Sequence, residues 1–213
     1  MQAMRIRRGI GSVALAAMVL VTQVAVAADF PVSGTLSVNG NAGDLPDGGA
    51  FGDSTYDAST GVLSEGAFSF PQTTTSFQTD LGTVVVTYQL SQTNTSTGLV
   101  AADGIAALTT ASLKLNVTHV TVIGIPISVG TCVFQPIDIV LAGTASASGL
   151  DLSATGFTIP AVAPSDCGGN GDQINDAIAG TNNAIEVLLD GDFTPPAGND
   201  TIFQDGFELP ARG

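Results

Sequence analysis

The sequence predicts an all-β protein, a single domain of β-sandwich or Greek-key-like architecture with one short helix near residues 172–179. Three observations favour this fold. Short segments alternate between apolar and polar residues, as in a sheet that buries one face. Gly residues, 26 in a chain of 213, separate these segments. Charged residues make up only 11% of the chain while Thr, Ser, Ala and Val are abundant, which is typical of folded β-structure.

The first 27 residues have the features of a cleaved export signal. Arg5, Arg7 and Arg8 precede an apolar stretch over residues 13–21, and the sequence Ala-Val-Ala at 25–27 matches a signal-peptidase site. This stretch is shorter than the roughly 20 apolar residues that a membrane-spanning helix needs. We therefore predict a mature bacterial protein that begins at Ala28 and has no stable membrane span. We expect it in the periplasm, on the cell surface or outside the cell.

Removal of this segment makes the chain strongly acidic. Lys114 and Arg212 are then the basic residues that remain against 19 acidic ones, which gives a formal charge of −17. Such a surface repels phosphate groups, so nucleic acid is excluded as a partner. The remaining length suits one domain, which we place at residues 28–193, followed by a Pro/Gly linker and tail over 194–213.

The predicted strands follow in chain order. A short alternating strand over residues 30–38 ends at Asn39 and Gly40. Residues 41–61, with six Gly or Pro residues and four Asp residues, are typical of a loop or loose hairpin region. Strand segments follow over 62–71 and 74–92, and the longest alternating segment ends near residue 123. The next segments contain both cysteines and the predicted helix.

Two groups of acidic residues suggest calcium, because hard cations prefer carboxylate oxygens. Neither group has the spacing of a known calcium loop, so we interpret both as solvated turns and predict no metal site and no cofactor. The residues concerned are Asp44, Asp47, Asp53, Asp57, Asp166, Asp172 and Asp176.

His119 is the single histidine and falls on the mostly apolar side of the longest predicted strand. A catalytic histidine needs a nucleophile and an orienting acid nearby, and the local sequence supplies only Thr118 and Thr121. We therefore predict a hydrogen-bonded histidine in the core or at its rim. We predict no catalytic residues and no enzymatic activity.

Cys132 and Cys167 are 35 positions apart and are the only cysteines. In an exported protein such a pair predicts a disulfide. A metal pair or a reactive thiol is the alternative, and the chain lacks a C-x-x-C sequence and a second histidine that would favour zinc. The disulfide would tie a strand to the entry of the predicted helix, which has Asn170 or Asp172 as N-cap and stops at Gly180.

Two nine-residue segments share a pattern of Leu-Ser, Phe, a hydroxyl residue, an apolar residue and Pro. They lie at residues 63–71 and 152–160. We interpret them as the mark of two related halves. The alternative is coincidence between residues that are common in β-structure.

The C-terminal sequence I-F-x-D-G-F-E resembles a short motif at the ends of exported proteins in some Gram-negative bacteria. That resemblance implies a handle recognised by an envelope protein or by sorting machinery. Alternatively, its two phenylalanines dock on the domain as part of a last strand. The motif comprises Ile202, Phe203, Asp205, Gly206, Phe207 and Glu208.

The region 131–189 resembles a loose group of uncharacterised secreted bacterial β-rich proteins. The resemblance rests on Cys132 with Pro136, Gly143-Thr144, the sequence FTIP at 157–160, Cys167-Gly168, and GTNN at 180–183. It implies a shared β-rich fold and carries no activity.

These observations predict a non-catalytic secreted or cell-envelope β-domain that serves as a structural, adhesive or interaction module. A carrier of a small hydrophobic ligand or lipid, held between sheets, is the alternative, because 44% of residues are apolar and the mean hydropathy is +0.38. An enzyme is least favoured. Glycoside hydrolysis, for example, needs a pair of carboxylates, but most carboxylates of this chain lie in Gly-rich turns and few Trp or Tyr residues are present to bind a sugar.

Overall fold

The computed structural model describes residues 28–79 and 82–198. The predicted signal at residues 1–27 and the six tail-motif residues, Ile202 to Glu208, lie outside these ranges. The described strands are β1 (Ala28–Val38), β2 (Asn41–Asp44), β3 (Gly49–Ser54), β4 (Tyr56–Asp57), β5 (Val62–Ser69), β6 (Thr73–Thr79), β7 (Gly82–Gln92), β8 (Ser96–Val100), β9 (Ile105–Val122), β10 (Ile125–Ile127), β11 (Val133–Ser146), β12 (Gly149–Thr155) and β13 (Ala184–Leu189). A 3-10 turn (Cys167–Gly169) precedes the helix α1 (Gly171–Ile178).

Eight of these strands form a closed ring, so the prediction of an all-β fold is confirmed. The ring runs β1, β3, β5, β7, β9, β11, β12 and β13, each antiparallel to the next, and β13 pairs with β1 to close it. The other five strands each pair with one strand of the ring, except β8, which pairs with both β5 and β9. The result is a barrel whose interior is the hydrophobic core.

The barrel differs from the predicted sandwich or Greek key. Its strands follow one another around the ring in chain order, whereas a Greek key brings a fourth strand back beside the first. Alternation along a strand shows that one face is buried. It cannot show whether that face meets a second sheet or the far wall of the same sheet, because both arrangements bury one face.

Two glycines let neighbouring strands approach closely. A Cβ atom at Gly34, whose φ is +146°, would be 2.0 Å from the carbonyl oxygen of Glu186 on β13. A Cβ atom at Gly143 on β11 would be 1.8 Å from the carbonyl oxygen of Asp151 on β12. Side chains at these two positions would push the strands apart, so the curvature of the wall depends on glycine there.

The segment 41–61, predicted to be a loop or loose hairpin region, contains three strands, β2, β3 and β4. β3 is a member of the ring and buries Phe51 completely. Its glycines signal turns in the sequence, yet Gly49 serves packing, since a Cβ atom there would be 2.7 Å from the ring of Phe70. The glycines that allow β3 to pack closely against its neighbours are therefore the residues that made this segment resemble a loop in the sequence.

Helix α1 covers one end of the barrel. Ile174 and Ile178 are buried against the core, as their spacing predicts. The N-cap position is Asn170, but its side chain does not cap the helix. Instead its Nδ2 donates to the carbonyl oxygens of Ser128 and Cys167, both at 3.2 Å.

The segment 190–198 crosses the opposite end of the barrel. Phe193 is completely buried there, and its backbone N–H donates to the carbonyl oxygen of Ser146 at 3.0 Å. Pro195 and Pro196 follow and lie beside Gly104 and Gly61 respectively. The two ends of the barrel are therefore covered by different parts of the chain, a helix at one and an irregular segment at the other.

The two nine-residue segments with a shared pattern have different settings. Residues 63–69 belong to one strand, β5, and residues 152–155 end another, β12. The second segment then leaves the sheet, and Phe157 and Ile159 are buried outside any named strand.

Candidate functional site

The interior of the barrel is filled by side chains. Phe51, Leu108, Phe134, Leu152 and Leu189 are completely buried within it. Three interior cavities have a volume of about 10 Å³ each, which is the space of a single water molecule. None of these three cavities has space on the scale of a lipid chain, so they give the carrier alternative no support.

The disulfide residues are brought together. The Sγ atoms of Cys132 and Cys167 are 2.03 Å apart, and both residues are completely buried. The backbone N–H of Cys167 also donates to the carbonyl oxygen of Thr131 at 3.1 Å. These contacts join the start of β11 to the turn that enters α1, so the disulfide holds these two segments of the fold together.

His119 is exposed, and the prediction that it lies in the core or at its rim is wrong. The pairing of β7 with β9 shifts its register at this point, where Tyr88 pairs with Val117 and Thr87 with His119. Thr118 is the extra residue of a bulge. Val117 and Val120 are consequently both buried although they are three positions apart, and His119 is turned outward.

The acidic residues do not assemble into a metal site. In the part of the chain that the structure describes, no group of three or more His, Cys, Asp or Glu side chains is placed to hold a metal ion. Asp57, one of the carboxylates considered for calcium, accepts hydrogen bonds from Ser59 and Thr60 in its own turn. These bonds lower the pKa of its carboxyl group, Ser59 having the larger effect.

An exposed apolar surface crosses three strands of the ring, β5, β9 and β11, and the added strand β8. Val62 on β5 pairs with Leu99 on β8, Leu99 pairs with Ala107 on β9, and Ala107 pairs with Ala142 on β11. Directly paired residues share a face of the sheet, and each of these is exposed. We call this surface, together with two apolar neighbours on the same face, the outer apolar face; its residues are Val62, Leu99, Ile105, Ala107, Val140 and Ala142.

The outer apolar face presents large side chains to solvent. Leu99 is 54% exposed, Ile105 61% and Val140 63%. The residues between them on the same face are uncharged, namely Thr97, Thr109 and Thr144. Charge begins at its rim, where Asp103, Asp138 and Asp151 are exposed. Large exposed apolar patches with polar rims are common at protein contact sites.

A partly open cavity lies at the barrel end that Phe193 closes. It has a volume of about 360 Å³, within the range of small-molecule sites. Phe30 and Tyr56 form its aromatic wall, and both rings contact that of Phe193, with centroids 4.9 and 5.3 Å apart. Its other lining residues are Ala28, Thr55, Ala58, Asp192 and Thr194.

Sequence reasoning missed both the outer apolar face and this cavity. The face is formed by residues from three separate segments, and each strand alone shows ordinary alternation. The cavity joins the start of β1 to residues that follow β13, which are far apart in the chain. One feature of the sequence could have indicated the outer apolar face. Residues 96–102 and 104–113, which include β8 and the first half of β9, contain no charged side chain.

No helix in the described ranges has both the length and the apolar character needed to cross a membrane. No protein-family model, no curated protein and no solved structure matches this chain.

Proposed function

We propose that this protein is a non-catalytic, exported interaction module that binds a partner protein through its outer apolar face. One observation carries the proposal, the uncharged apolar surface formed by β5, β8, β9 and β11 on an otherwise acidic barrel. Export to the bacterial periplasm, cell surface or medium is part of the proposal. It is supported by the residues of the leader and by a disulfide, which persists in oxidising compartments.

The chemistry of the face indicates the partner. Removal of Leu99, Ile105 and Val140 from water provides the favourable free energy of association, because burial of apolar surface is the main driving force in most protein interfaces. The carboxylates of Asp103, Asp138 and Asp151 at the rim favour a partner with basic residues around an apolar centre. A second copy of this chain, which has the same acidic rim, is disfavoured by repulsion of like charges.

The tail motif from Ile202 to Glu208 fits this function as a handle for envelope proteins or sorting machinery. It lies outside the described residues and stays a prediction based on resemblance. The outer apolar face is independent of it, because every residue of the face lies before residue 143.

Site-specific photo-crosslinking in the natural host tests the proposal. A photoreactive amino acid at Ala107, in the centre of the face, should give one discrete protein adduct. The same group at Ile125, which is 65% exposed on β10, is the matched control and should give none. Ile105→Ser and Leu99→Ser together should remove the adduct at position 107, because they remove the apolar contact without adding charge.

Three results would contradict the proposal. The first is equal crosslinking from positions 107 and 125, and the second is persistence of the adduct in the double variant. The third is a lipid adduct in place of a protein adduct, which would favour the carrier alternative.

A further inference from the structure

We propose that the cavity between Tyr56 and Asp192 is a binding site for an organic cation, a ligand that carries an ammonium or trimethylammonium group. This is a second site, at the end of the barrel and separate from the outer apolar face. The inference rests on the volume of the cavity, its aromatic wall and the placement of a carboxylate beside that wall.

The aromatic wall is held in place by packing and by a hydrogen bond. The ring of Phe193 is completely buried and contacts the rings of Phe30 and Tyr56. The hydroxyl of Tyr56 donates to the carbonyl oxygen of Thr194 at 2.8 Å. A ligand therefore meets rings that are already ordered, and little conformational entropy is lost when it binds.

Asp192 supplies a negative charge at the cavity. Its Oδ1 accepts hydrogen bonds from the backbone N–H of Thr194 at 3.0 Å and from the hydroxyl of Thr194 at 2.5 Å. These bonds hold the pKa of the carboxyl group below its ordinary value, so the group is ionised at neutral pH. Its Oδ2 makes no hydrogen bond within the described residues and remains available to a ligand.

No lysine or arginine side chain of the described residues lines the cavity. Lys114 is the only lysine or arginine in residues 28–79 and 82–198, and it lies on β9, paired with Ser91 on β7. The negative charges of Asp57 and Asp192 both act on Tyr56. An anionic ligand would be repelled here, whereas a cation is attracted by the carboxylate and by the negative faces of the rings.

Choline and its uncharged carbon isostere, in which a tert-butyl group replaces the trimethylammonium group, form a matched pair of probes. Their binding to the protein is measured by calorimetry or by ligand-observed NMR. Choline should bind about tenfold more tightly, because only the cation gains from the rings and the carboxylate. The assay uses chains that start at Ala28 and chains extended by Val26 and Ala27, because Ala28 lines the cavity and its α-ammonium group would compete.

Three variants locate the site. Asp192→Asn keeps an oxygen that accepts both bonds from Thr194 and should weaken choline binding about threefold, as should Tyr56→Leu, which removes an aromatic face. Asp172→Asn, which changes the net charge equally on α1 at the other end of the barrel, should leave the affinity unchanged.

Equal binding of choline and its isostere would overturn the proposal. Equal weakening by Asp192→Asn and Asp172→Asn would also overturn it, because it would show general attraction to an acidic protein. Absence of saturable binding to both chains would do the same.

Discussion

Gly34 on β1 lies so close to Glu186 on β13 that a Cβ atom at position 34 would be 2.0 Å from the carbonyl oxygen of Glu186. These two residues belong to the first and last strands of the ring, and their contact is part of the pairing that closes it. The closure of the barrel therefore depends locally on the absence of a single side chain.

Gly34→Ala should lower the free energy of unfolding by about 3 kcal/mol, because the methyl group forces β1 and β13 apart. Gly156→Ala is the matched control. Gly156 has a φ of +72° but nothing within 4 Å of an added Cβ atom, so about 1 kcal/mol of backbone strain is expected there. Urea denaturation measures both, and equal losses would show that the contact with Glu186 is unimportant.

Replacement of Cys132 and Cys167 by serine should lower the free energy of unfolding by about 4 kcal/mol, because the disulfide closes a loop with a sequence separation of 35. Urea denaturation of the oxidised protein and of the double variant measures the difference. Reductant should destabilise the natural protein and leave the double variant unchanged. A double variant as stable as the oxidised protein would contradict a stabilising role for the pair.

Asn183→Ala should lower the free energy of unfolding by about 2 to 3 kcal/mol. The side chain is buried and donates to the carbonyl oxygens of Phe157 and Gly180 at 2.9 and 2.8 Å, and it accepts from the N–H of Asn39 at 2.9 Å. Removal of the side chain leaves the carbonyl oxygens of Phe157 and Gly180 and the N–H of Asn39 without these hydrogen bonds. The exposed neighbour Asn182 is the control, and Asn182→Ala should have a much smaller effect in thermal melts.

The two tyrosines should titrate above their ordinary pKa of 10.0 in the folded protein. Burial raises the pKa of Tyr56, with additional effects from Asp192 and Asp57, and burial alone raises that of Tyr88. The folded protein thus retains these protons more tightly than the unfolded chain does. Their contribution to stability is fully present below pH 10.0 and is lost as the pH rises through the folded values.

Phenolate absorbance measures this titration, with midpoints that move down towards the ordinary value in denaturant. Tyr56→Phe isolates the signal of Tyr88, and Asp192→Asn should lower the midpoint of Tyr56 alone. Midpoints that are the same in folded and unfolded protein would contradict the environments described for both residues.

Local features of this chain were predictable because they depend on nearby residues. Ile174 and Ile178 are four positions apart, which places them on one face of a short helix, and both are buried. The position of His119 was not predictable, because the bulge at Thr118 arises from the pairing of β7 with β9 and not from the sequence around it. A bulge adds one residue to a strand, so a pattern of alternate residues that is continued past the bulge assigns the following side chains to the opposite face of the sheet.

The closure of the barrel could not be predicted from the sequence for a similar reason. The pairing of β1 with β13 joins segments about 150 positions apart, and neither segment differs in composition from a strand of an open sheet. The candidate sites depend on this closure. Tyr56 and Asp192 line one cavity only because the chain returns across the barrel end after β13.

The pairing that closes the ring joins its first strand, β1, to its last strand, β13, so closure is a late step in folding. β1 is the first strand along the described part of the chain, and its partner β13 ends at Leu189. The barrel therefore cannot close before Leu189 has been synthesised. Long-range pairing of this kind is slow to form. A newly made chain thus stays unclosed for a time, which is the state in which a polypeptide can be threaded through a narrow channel.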